Sequence, residues 1–134
     1  MKIETKKFRK ASEALQAARQ LISDTKRWTR NYLAIRKEDG LKIVCSTKSK
    51  NAEAFCALGA VKHVNGPAER SAVSYLREAA LRHLQSFGAE KESTTLAKNV
   101  HIFDVNDGQG KYRGHKNVMK IFVDAIRRAK KDGN

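Results

Sequence analysis

The strongest constraint on the fold is the spacing of apolar side chains, which recurs every three or four residues in several separate segments. Val118, Ile121, Phe122, Ala125 and Ala129 trace one face of a helix over His115–Lys131, the clearest such pattern in the chain. Phe8, Ala11, Leu15, Ala18 and Ile22 predict a first helix over about residues 7 to 25. A second is expected to start at Asn51, a good N-cap, and to run through Ala54, Phe55, Leu58 and Val61 until Asn65-Gly66. Pro67 suits the first turn of a third, whose stripe of Val73, Leu76, Ala80, Leu84 and Phe87 ends at Gly88.

Two stretches break this helical rhythm. Tyr32-Leu33-Ala34-Ile35 and Leu41-Lys42-Ile43-Val44 are β-prone runs flanking Glu38-Asp39-Gly40, where glycine supplies the positive φ of a tight hairpin turn. Val100, Ile102, Phe103 and Val105 form a short buried stretch of undetermined type, and the polar segment Ala89–Leu96 before it reads as a mobile loop. The fold expected is mainly α: about four helices packed in one domain, with a small β-hairpin between helices one and two. At 134 residues the chain has room for one core and not two, so residues 1–134 are expected to form a single basic helical domain.

No apolar run approaches the ~18 residues of a membrane span, and the first ten residues lack the apolar stretch of a signal peptide. No membrane partner is expected, and the cytoplasm is the expected compartment. Cys45 and Cys56 are too few for a disulfide framework and suit reduced, buried thiols.

Charge narrows the partner class. The chain carries 28 Lys/Arg against 14 Asp/Glu, a net +14, and the excess is uneven. Residues 1–50 hold 14 cations to 5 anions, residues 51–110 hold 6 to 7, and residues 111–134 hold 8 to 2. Two groups carry the functional expectation: Lys6, Lys7, Arg9, Lys10, Lys26, Arg27 and Arg30 around helix one, and Lys111, Arg113, Lys116, Lys120, Arg127 and Arg128 around the last helix. If the two terminal helices pack as neighbours, their polar faces join into one positive field suited to phosphate backbones. Neutralising ~6 phosphates makes affinity fall by roughly three decades between low and moderate salt. Trp28, Tyr32 and Tyr112 lie among these charges, where aromatic rings stack on bases or close the edge of a core; the core is the reading preferred for Trp28. The expected function is therefore non-enzymatic binding of a polyanion, most simply nucleic acid held through its backbone.

Other chemistries find weaker support. Cys56 with His63, His101 or His115 and with Asn106 or Asp107 forms a hydrolase triad only on paper, and core packing is the simpler reading of Cys56. Asp104-x-Asn106-x-Gly108 has its glycine one place early for a calcium loop, and His115 stands where the twelfth-position acid belongs. An Asx-type turn leading into the last helix is the expected role of Asn106 and Asp107. His63, His83, His101 and His115 lack the paired spacing of zinc sites, so no metal or cofactor is expected. Gly108-x-Gly110-x-x-x-Gly114 lacks the Lys-Ser/Thr ending of a phosphate loop, though Lys111, Arg113 and Lys116 make the turn a reasonable seat for an anion.

In order along the chain, Leu21-Ile22, Trp28, Asp39-Gly40, Phe55-Cys56-Ala57-Leu58-Gly59-Ala60, Ile102, Asn106-Asp107, Gly110 and Val118 resemble a family of small uncharacterised proteins from bacteria, actinomycetes especially, and their phages. The likeness spans about Ala11 to Ala129 and implies a shared fold and single-domain organisation, but it carries no activity, the family being a domain of unknown function. Presence in phages implies an alternative role: a small accessory or inhibitor protein docking on an acidic surface or nucleic-acid channel of a host complex. The family often has a more acidic final loop than the Gly110-Lys111-Tyr112-Arg113-Gly114-His115-Lys116 found here.

Overall fold

The backbone alternates a helix, a short hairpin and then four further helices. A computed structural model describes residues 8–88 and 99–134. Its elements are α1 (Ala11–Leu21), a 3-10 turn (Thr25–Arg27), β1 (Ala34–Glu38), β2 (Leu41–Val44), β3 (Ala54–Phe55), α2 (Ala57–Val64), α3 (Glu69–Ser86), α4 (Val100–Asp107) and α5 (His115–Lys131). The expected loop at Ala89–Leu96 lies outside the described residues. Among those residues, no helix is long and apolar enough to cross a membrane.

The sequence signals act where they are strongest. α5 has the bounds its apolar stripe predicts, with Val118, Ile121, Phe122, Ala125 and Ala129 all buried. In the hairpin, Asp39 and Gly40 both take positive φ (51° and 79°), the pairing that lets a two-residue loop match the twist of its strands. β1 pairs antiparallel with β2 from Glu38↔Leu41 to Ile35↔Val44, and its other edge takes β3 through Ala34↔Phe55 and Ile35↔Ala54.

Four local expectations change. The first helix is shorter than residues 7–25, because Asp24 caps a separate 3-10 turn by accepting from Lys26 N at 2.9 Å. Helix two does not start at Asn51: Asn51 N donates to Ser49 Oγ in a turn, Ala54 and Phe55 join the sheet, and Cys56 is the cap. Phe87 leaves the inward stripe of α3 as its C-cap residue and is 46% exposed. The stretch at 100–105, whose type the sequence left open, is helical, so five α-helices stand among the described residues where about four were expected.

Buried residues form one cluster drawn from every helix, including Leu15, Leu58, Leu76, Ile102 and Phe122. Each large side chain so buried contributes roughly 1.5–3 kcal/mol relative to exposure. α1 packs on α2, α3 and α5, while α5 also packs on α3 and α4. The terminal helices run antiparallel: Asn134 accepts from Ala11 N (3.2 Å, Oδ1) and Ser12 N (3.1 Å, main-chain O), and His115 Nε2 donates to Ile22 O at 2.7 Å. Asn134 thereby supplies two of the partners that the free N–H groups of α1 need, since its N-cap Lys10 makes no side-chain cap.

Candidate functional site

With its apolar stripe turned inward, α5 is left with six cations and one anion on its remaining surface. Lys116, Lys120, Arg127 and Lys131 fall within roughly 60° of arc at 100° per residue and are all exposed, as are Arg128 and Lys130. They run along an axis about 25 Å long at 1.5 Å per residue. No ion pair links Lys116, Lys120 or Arg127 to a carboxylate among the described residues. Asp124 is the lone anion of the helix, and Arg82 of α3 meets it at 2.9 Å, with Arg128 at 3.9 Å.

The neighbouring helices extend this face on both sides. A groove of about 370 Å³ brings Arg19 of α1 beside Met119, Lys120, Val123 and Arg127. On the α3 side, a groove of about 260 Å³ sets Arg82, His83 and Ser86 against Lys120 and Arg127. Lys120, Asp124 and Arg127 therefore border both grooves. Arg19 and Arg82 were not among the sequence-expected residues; Arg82 lies in the charge-balanced middle of the chain, and only the packing of α3 on α5 brings it here.

The N-terminal cations lie beyond the ends of α1 rather than along it. The body of that helix holds only Glu13 and Arg19 as charged residues, with Glu13, Gln16 and Gln20 facing solvent. Arg9 and Lys10 are exposed at its start, which the Asn134 contacts set beside the C-terminal end of α5. Lys26 and Arg27 are exposed in the 3-10 turn, near the other end of α5. There Trp28 meets the His115 ring edge-on at 5.4 Å, Arg30 covers Trp28 at 4.8 Å, and the Arg30 guanidinium lies 3.0 Å from where a β-carbon on Gly114 would stand. Lys6 and Lys7 fall outside the described residues.

Lys111 is exposed in the turn before α5, whereas Arg113 is committed to Asp104 by two bonds of 2.7 and 3.3 Å. Much of the turn's polar capacity is spent internally. Gly114 N donates to Val105 O at 2.7 Å, and Asn117 Nδ2 donates to the carbonyls of Lys111 and Arg113.

The residues around Cys56 assemble differently from either expectation. Asn106 and Asp107 end α4 instead of forming a turn into the last helix, and their side chains reach far along the chain. The fully buried Asn106 accepts at Oδ1 from Trp28 Nε1 (2.8 Å) and Ala57 N (2.9 Å), while Nδ2 donates to Thr29 O (3.1 Å) and Asp107 Oδ1 (2.7 Å). Asp107 Oδ1 also accepts from Asn31 N at 2.8 Å. One amide thus joins α4 to the loop before β1 and to the first turn of α2.

Cys56 caps α2, its Sγ accepting from Gly59 N at 3.3 Å. Burial pushes its thiol from the ordinary 9.0 up to about 11, with the Asp107 charge acting the same way and the Gly59 N–H against it. His63 Nδ1 donates to Thr47 O, His83 Nε2 to Tyr112 O and His115 Nε2 to Ile22 O, so these rings are oriented by carbonyls. Gly59 is required by contact: a β-carbon there would overlap the Leu33 carbonyl. Cys45 is a half-buried free thiol. Among the described residues, no three His, Cys, Asp or Glu side chains converge as a metal ion needs.

The chain belongs to a family of unknown function (DUF6197), whose model matches residues 9–128. Trp28, Cys56–Ala60 and Asn106-Asp107, which carried the likeness in the sequence, meet at the Asn106 junction. No curated protein and no solved structure matches.

Proposed function

We propose that this protein is a non-enzymatic binder of nucleic acid, which it holds by the phosphate backbone against the outer face of α5. The observation that carries this reading is the row of Lys116, Lys120 and Arg127, which no carboxylate pairs among the described residues, with Arg19 on one flank and Asp124, held by Arg82, as the one carboxylate of the helix. Backbone phosphates condense counterions, and their release on meeting Lys and Arg drives binding with little regard to sequence. The row from Lys116 to Lys131 is about 22 Å long, which matches about six base-pair steps of duplex rise at 3.4 Å each, so it can face several backbone phosphates at once. Cations that few local carboxylates neutralise are free to make those contacts, whereas Arg113, bonded to Asp104, and Arg82, bonded to Asp124, are first of all structural.

Two observations support a binding role over catalysis. The Cys56 thiol is protonated at neutral pH, so it is a poor nucleophile, and three histidines are tied to main-chain carbonyls. Two free thiols are compatible with a reducing compartment such as the cytoplasm.

Fluorescence anisotropy with labelled duplex and single-stranded oligonucleotides tests the reading. Lys120→Glu with Arg127→Glu is expected to weaken binding by at least 30-fold or so, because each reversal removes one phosphate contact and adds one repulsion. The same reversal at Lys48 and Lys50, exposed in the loop after β2, is expected to change it less than about threefold. Equal effects of the two pairs leave α5 with no special role. Retention by an acidic protein with no affinity for either oligonucleotide would assign the face to a protein partner instead.

A further inference from the structure

The face of α5 ends beside an aromatic stack whose outer ring, Phe87, is partly exposed among the described residues. Phe87, the C-cap of α3, is 46% exposed although its position in the apolar stripe predicts burial. It lies nearly parallel to Tyr112, with ring centroids 5.3 Å apart and planes 23° from each other, and meets His83 edge-on at 5.2 Å. Arg113 stands over the Tyr112 ring at 4.3 Å.

The layers beneath Phe87 are held from behind. His83 Nε2 donates to Tyr112 O at 2.8 Å, Asn117 Nδ2 fixes the carbonyls on either side of Tyr112, and Asp104 grips Arg113 with two bonds. Phe87 therefore packs on a fixed base of Tyr112 and His83, which lowers the ordering cost when a flat ligand meets it. Its surroundings are cationic: Lys111 precedes Tyr112, and Lys120 shares a groove with His83 and Ser86.

We infer that Phe87 is a stacking platform for an unpaired base, so that the nucleic acid taken by this protein is single-stranded at the α3–α5 end of the basic face. This rests on the reading of α5 as the phosphate-binding helix. An exposed ring beside backbone-binding lysines suits a single strand, since every base offers a π-face and stacking is indifferent to sequence. Duplex bases are already stacked on one another and have no face to offer. Phe87 then selects strandedness while the α5 cations supply most of the salt-dependent affinity.

The test compares an oligothymidine of about 12 nucleotides with a duplex of the same length, by anisotropy, on the wild-type protein, Phe87→Leu, Phe87→Trp and the Lys120→Glu/Arg127→Glu pair. Leucine keeps an apolar side chain of similar reach without the ring, and circular dichroism checks that each variant is folded. Phe87→Leu is expected to weaken the single strand on the order of tenfold and the duplex less than twofold, with Phe87→Trp restoring the single-strand affinity. The platform is overturned if Phe87→Leu leaves single-strand binding unchanged or lowers both ligands alike; the α5 reading survives if the charge-reversal pair still weakens binding by about 30-fold. Failure of the wild type to bind either oligonucleotide removes both.

Discussion

Replacing Asn106 by alanine tests whether one buried amide holds the two halves of the chain in register. The substitution leaves Ala57 N, Thr29 O and Trp28 Nε1 without their partner. A buried polar group stripped of its hydrogen bond costs about 1–3 kcal/mol. Trp28 is only half-buried, so water recovers part of its loss, and the sum is about 3–5 kcal/mol. That is a large share of the ~5–15 kcal/mol that holds an ordinary domain together. Urea unfolding followed by the fluorescence of Trp28, the sole tryptophan, reads it directly. With a slope of about 1.5 kcal/mol per molar, the midpoint falls by about 2–3 M. Asn106→Asp keeps the acceptor for Trp28 and Ala57 but loses the donor and adds a carboxylate beside Asp107. Burial and that neighbour raise its pKa above the unfolded value, so the aspartate variant is most stable in acid and loses ground as pH rises through its folded pKa. A midpoint shift below about 0.3 M for Asn106→Ala would refute the clamp.

Three other outcomes follow from the same geometry. Gly59→Ala gains up to about 1 kcal/mol of helix propensity but overlaps a backbone carbonyl that cannot move away, so circular dichroism melts are expected to show a net loss above about 2 kcal/mol; an unchanged or higher melting temperature contradicts the close contact of α2 with Leu33. Raising the Cys56 pKa from 9.0 to about 11 stabilises the fold fully below pH 9, and that contribution drains away as pH climbs towards 11 because the unfolded thiol ionises first. Wild type is therefore expected to lose roughly 2–3 kcal/mol more than Cys56→Ala across that window, and parallel pH–stability curves would rule out the buried thiol as the cause. Asp124→Asn takes the net charge from +14 to +15 and frees Arg82 and Arg128, so nucleic-acid affinity in anisotropy titrations is expected to rise a few-fold, and a fall would mean that Asp124 orients those arginines for contact.

What the sequence conveyed depended on how much of each element's stability is local. The five apolar residues of α5 specify its face without help from the rest of the chain, and Asp39-Gly40 specifies its turn through backbone conformation alone. β3 is two residues long and exists because the edge of β1 needs partners, which no property of Ala54-Phe55 announces. Hence helix two was expected to begin too early. The role of Asn106 is similarly non-local, since its partners lie 49 to 78 residues away, apart from Asp107 next to it. Arg19 and Arg82 join the basic face through the packing of α1 and α3 on α5, whereas segmental charge counts record only where cations fall along the chain. Phe87 fits the stripe by spacing, yet the helix ends one residue before it, and the ring leaves the core with that change of direction.

The measurement closest to the central claim is the dependence of binding on salt, taken with the wild-type chain and a duplex between about 50 and 200 mM salt. Four to six phosphate contacts from the α5 face predict a slope of about −4 to −5 in log affinity against log salt, a loss of roughly 300- to 1,000-fold over that range. A slope shallower than about −1, or no binding of either this duplex or a single strand at the lowest salt, would contradict the account, because a row of cations on a helix cannot hold a polyanion without releasing its counterions.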